Sequence, residues 1–140
     1  SQGGVVASLY AAAYPDRVHK LLLIFPAFVL FDDAKETYRE LGSPDFDQLP
    51  DSLTHHNATL GKIYLIDALD IDIQAEQTKI TAPTLIIHGT DDAVVPYQYA
   101  VQASQTIPNA KLVTVEGGEH RIDERFAITA APAIQKFLKE

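Results

Sequence analysis

The chain has 140 residues, enough for one domain with a modest core, and its composition is that of an ordinary soluble globular protein. A net charge of −8 offers no basic face for nucleic acid or an anionic membrane surface, and no apolar run approaches the roughly 20 residues that span a bilayer. Cys is absent, which excludes disulfides, a thiolate nucleophile and a Cys-based metal site, and fits a reducing, cytoplasmic compartment. A signal peptide would lie upstream of Ser1, so export is left open.

Gly3 to Tyr14 is rich in Ala, Val and Leu and is stopped by Pro15-Asp16, which predicts a helix ending near Tyr14. Leu21-Leu22-Leu23-Ile24-Phe25, closed by Pro26, is a short continuous apolar run suited to a strand buried on both faces of a parallel sheet. From about Phe28 to Lys79 the rhythm breaks: acids are frequent, Pro44 and Pro50 interrupt, and no convincing buried strand is visible. A connection of that length inside a compact domain is usually functional or separately folded, so residues 28–79 read as a cap inserted over the sheet's C-terminal edge. Thr84 to Ile87 and Lys111 to Val115 are the second and third strand runs, with a helix between them from Tyr97 to Thr106. About Ile122 to Leu138 reads as a C-terminal helix that Pro132 bends or breaks. The alternation predicts an α/β fold with a parallel sheet and flanking helices.

Residues with catalytic potential stand at the ends of these elements. Ser1-Gln2-Gly3-Gly4 reads as the right-hand part of a G-x-S-x-G nucleophile elbow. A serine hydroxyl becomes a nucleophile when a base takes its proton and a third group orients that base. Asp92, in His88-Gly89-Thr90-Asp91-Asp92, follows the second strand and is favoured over Asp91 as the orienting acid. His120, in Glu116-Gly117-Gly118-Glu119-His120, follows the third strand in a Gly-rich loop and supplies the base. The order Ser…Asp…His is that of α/β-hydrolases and of neither common serine-protease type. The Gln2 N–H is the expected oxyanion donor, and Gly3 and Gly4 allow a tight turn and close helix packing. His88 reads as a structural residue at the strand end. His19, His55 and His56 lack metal-ligand spacing, and no metal or other cofactor is expected.

With these motifs, and with Phe25-Pro26-Ala27 and Leu60-Gly61-Lys62-Ile63-Tyr64-Leu65, the chain resembles bacterial cinnamoyl (feruloyl) esterases over essentially its whole length. The resemblance implies the C-terminal part of an α/β-hydrolase fold, a triad of Ser1, Asp92 and His120, and Gln2 as oxyanion donor. It also implies a cap whose Asp33 and Tyr64 grip the phenolic hydroxyl of a small-molecule hydroxycinnamate ester. A third cap position, usually glutamine in that family, falls near Glu40, and an ionised carboxylate there can only accept hydrogen bonds.

The expected reaction of the intact protein is therefore ester hydrolysis through an acyl-enzyme. The family's earlier strands and second oxyanion donor are not in these residues, so the chain is expected to be a piece of a longer protein. Alone it should be inactive, with an open sheet edge that a homodimer could bury. Within the fold, the competing reading is a general short-chain carboxylesterase or monoacylglycerol lipase. Two others are an N-terminal-nucleophile hydrolase, which would leave Asp92 and His120 without a role, and a residual hydrolase domain serving as a binding module.

Overall fold

The computed structural model describes residues 1–55 and 57–140. They form two compact units, one of residues 1–28 and 73–140, the other Val29–Asp72.

The first unit is built on three parallel strands in the order β1-β4-β5: β1 (Leu21–Ile24), β4 (Thr84–Gly89) and β5 (Ala110–Val115). β4 is central and buried at every position, which is why its run shows no polar alternation. Side chains alternate across a strand. Leu85 and Ile87 pack with Val115 against Phe126, Ala130 and Phe137 of α6 (Glu124–Lys139), while Ile86 and His88 take the opposite face.

Around the sheet, α1 (Gln2–Ala13) packs on β1, and α5 (Gln98–Thr106) packs on β4 and β5. The short α4 (Ile73–Gln77) lies against α1 and α5. In α1 the inward residues are small: Val5, Ser8, Ala11 and Ala12 are buried, and Gly4 meets Pro26 so closely that a Cβ would stand 2.9 Å from the proline Cβ. Gly3 has no such neighbour, so the close packing expected of both glycines falls on Gly4 alone.

Pro132 does not interrupt α6. The carbonyl deprived of a partner by the proline is that of Ile128, and both residues are exposed, so water can take the lost bond. The helix is secured at both ends. Asp123 caps the Phe126 N–H at 2.9 Å, and Lys20 Nζ reaches the Phe137 carbonyl at 2.6 Å.

The second unit contains α2 (Leu30–Glu40), an antiparallel hairpin of β2 (Ser52–His55) and β3 (Ala58–Gly61), and α3 (Lys62–Asp70). α2 packs against α3. The hairpin is largely exposed, which is why its residues lack the apolar run that marks a buried strand.

Candidate active site

The three parallel strands end side by side, and their C-terminal loops bring the chemistry together. A Cβ on Gly89 would lie 2.1 Å from the Gly118 carbonyl oxygen, so only two glycines let these backbones pass. The Asp91 N–H donates to that carbonyl at 2.9 Å, and the Gly117 N–H donates to Thr90 Oγ1 at 2.8 Å. Gly117 itself has φ +68°, a left-handed conformation that glycine adopts without penalty.

This lacing places Asp92 against His120. Asp92 is buried, and its Oδ1 accepts the Val94 and Val95 N–H groups at 2.9 and 2.8 Å. Its Oδ2 lies 2.7 Å from His120 Nδ1. A carboxylate only accepts, so the His120 proton sits on Nδ1 and the Nε2 lone pair is left for base chemistry. Asp91, the rival acid, is exposed. Of the two acids, it is Asp92 that the structure sets beside His120.

Phe25 backs the imidazole from the other side. Its ring centroid is 4.3 Å from that of His120 and 5.5 Å from that of Phe126. The residue has φ +32°, a strained backbone for an aromatic side chain, and its N–H donates to the Ile87 carbonyl at 2.8 Å. The sequence marks Phe25 only as the end of an apolar run and as part of the Phe25-Pro26-Ala27 motif. Its contact with His120 leaves no such mark, because that signal is in the backbone conformation.

Ser1 is fixed at the same end of the sheet. Its nitrogen donates to the Ile24 carbonyl at 3.1 Å, and its carbonyl accepts the N–H groups of Gly4 at 3.0 Å and Ala27 at 3.1 Å. It is exposed at the N-terminus of α1, with Gln2 as the first helical residue. Ser1 and His120 thus border the same short turn, Ile24 to Ala27, from which the Phe25 ring projects.

His88 is fully buried, with Nε2 2.9 Å from the Val95 carbonyl and 3.2 Å from Asp92 Oδ2. Burial pushes its pKa below the ordinary value, outweighing the Val95 hydrogen bond and the attraction of Asp92.

In the second unit, Asp33 lies on α2 and Tyr64 on α3, both part-buried. Burial, and then the charge of Asp33, raise the Tyr64 pKa, which keeps the phenol a neutral donor. Glu40, at the end of α2, is exposed. His56 lies outside the described residues. Among those described, no group of three or more His, Asp or Glu side chains is arranged to hold a metal, and no helix is long and apolar enough to cross a membrane.

A parallel sheet with flanking helices, an acid after one strand, a histidine after its neighbour and a serine opening a helix define the α/β-hydrolase fold. The chain belongs to the TAP-like protein family of these hydrolases, whose sequence model matches residues 69–140. Among solved structures it is similar to Est1E from Butyrivibrio proteoclasticus, with a TM-score of 0.83 and 32% identity over 100% of this chain and 60% of that one. Est1E has also been solved with ferulic acid bound, and that structure superposes with a TM-score of 0.81, 32% identity and coverage of 100% and 58%. A protein of Stutzerimonas stutzeri named "Putative carbamate hydrolase RutD" is 39% identical over 70 residues, 49% of this chain and 26% of that protein. The chain thus spans about three fifths of Est1E, and its matched stretch about a quarter of that curated relative.

Proposed function

We propose that the protein is a serine carboxylic-ester hydrolase acting on hydroxycinnamate esters. The observation that carries this reading is the Asp92–His120 hydrogen bond of 2.7 Å, formed at the strand ends beside the helix that Ser1 opens. In the intact enzyme, Ser1 attacks the ester carbonyl as His120 Nε2 takes its proton, and Asp92 holds the imidazole tautomer and stabilises the imidazolium. The Gln2 N–H and the α1 N-terminus face the developing oxyanion. The alkoxide leaves with the proton from His120, and water, activated by the same imidazole, releases the acid.

The unit Val29–Asp72 acts as the cap that selects the acyl group. The likeness to Est1E, which binds ferulic acid, supports a phenolic acyl group. So does the presence of Asp33 within electrostatic reach of a neutral Tyr64 phenol, since the two residue types can accept from and donate to a substrate hydroxyl. The likeness to RutD supports a second reading, hydrolysis of carbamates by the same triad.

A kinetic comparison of methyl ferulate, methyl cinnamate, an aliphatic 4-nitrophenyl ester and a carbamate decides between them. Tyr64→Phe is expected to lower kcat/KM on ferulate by about tenfold or more while sparing cinnamate, which lacks the hydroxyl. Equal losses on the two would remove the phenol contact. Preference for the aliphatic ester would leave a general carboxylesterase, and preference for the carbamate would favour the second reading.

A further inference from the structure

We infer that His88 is a positioning residue for the acid of the triad: its Nε2–H, bonded to the Val95 carbonyl and 3.2 Å from Asp92 Oδ2, fixes the turn that orients Asp92 toward His120. The inference rests on Asp92 and His120 acting as acid and base.

The assignment follows from what surrounds the ring. Nε2 carries a proton that it donates to the Val95 carbonyl at 2.9 Å, and it stands 3.2 Å from Asp92 Oδ2. Nδ1 is buried with no hydrogen-bond partner among the described residues, so a second proton there would have nothing to bond. The ring therefore stays neutral while donating from Nε2. The titratable groups facing it are Asp92 and His120 from the two loops, and Tyr97, whose ring centroid is 6.1 Å away.

Oδ1 of Asp92 is fixed by the Val94 and Val95 amides, and Oδ2 bonds His120 and lies 3.2 Å from His88 Nε2. The Val95 carbonyl ties His88 to the turn that presents those amides. The Nε2–H dipole beside Oδ2 also offsets part of the carboxylate's charge and so moderates its stabilisation of the His120 imidazolium. Removing that dipole leaves more of the charge acting on His120 and makes the imidazole more basic.

The test is the pH profile of kcat/KM on an activated ester for the full-length protein and its His88→Phe and His88→Gln variants. Gln places an amide N–H at about the reach of Nε2, whereas Phe fills the space without a donor. His88→Phe is expected to lower kcat about tenfold, as loss of a buried hydrogen bond that fixes the acid's turn does, with KM little changed and the acid limb moved to higher pH. His88→Gln is expected to recover most of the rate and the wild-type midpoint. If His88→Phe does not fold, His88→Asn, whose donor falls short of the Val95 carbonyl, takes its place against His88→Gln.

An unmoved acid limb in a folded variant without the donor, or a loss that Gln does not repair, would overturn the assignment. Ser1→Ala and His120→Ala, measured in parallel, separate the two levels. If both are inactive while His88→Phe is normal, only the role of His88 falls. Activity surviving in both would overturn the triad and the role of His88 together.

Discussion

Phe25 combines a strained backbone with a place against the candidate base. Its φ of +32° is unfavourable for any side chain, and its ring is seated between His120 and Phe126. Such conformations cost on the order of 1–3 kcal/mol and persist where the surroundings over-determine them. Glycine adopts this conformation freely, so Phe25→Gly should be at least as stable as Phe25→Ala in urea unfolding, reversing the usual order of these two residues. A Gly variant less stable than Ala would mean that Phe25 stores no strain. At this scale the sequence was legible where chemistry has a residue-type signature. Ser1, Asp92 and His120 could be proposed as a triad because nucleophile, acid and base need those types in that order, and the structure brings Asp92 and His120 to 2.7 Å. The contact of Phe25 with His120 and the donor role of His88 could not be read this way, because a backbone angle and a hydrogen-bond partner leave no trace in composition.

Among the elements, burial decided which were readable. β4 is apolar throughout because both its faces are covered, and β1 and β5 run beside it as parallel partners, so all three appear as short apolar runs. The hairpin β2–β3 escapes this reading because its side chains are mostly exposed. α6 escapes it in a different way: a proline rule that holds for unsupported helices gave way to packing. Phe126, Ala130 and Phe137 anchor its inner face, and Pro132 sits on the outer one. Restoring the missing N–H with Pro132→Ala should therefore raise stability, by about 1–3 kcal/mol, with no effect on kcat. Equal urea midpoints for the two proteins would show that the proline costs this helix nothing.

At the scale of the whole molecule, the buried histidine links the site to stability. His88 titrates near 6.5 when unfolded, and burial holds its folded pKa below that value. Between the two values the unfolded chain binds the proton and the folded one does not, so stability rises with pH across that window. The contribution is complete above about pH 6.5 and is lost as pH falls through the folded value. Urea midpoints of the full-length protein should thus drop on acidification below about pH 6.5, and the drop should shrink in a folded His88→Phe variant. An unchanged slope would place the linkage elsewhere.

The TAP-like α/β-hydrolase fold supplies the frame, with strand ends that bring an acid and a histidine to 2.7 Å beside the serine that opens α1. Whether those three residues work as one catalytic unit is tested by treating the full-length protein with a fluorophosphonate, which phosphonylates only an activated serine hydroxyl, and mapping the adduct by peptide mass. The proposed triad requires a single adduct on Ser1, lost in His120→Ala. An adduct on another serine, or none on a folded protein, would contradict it.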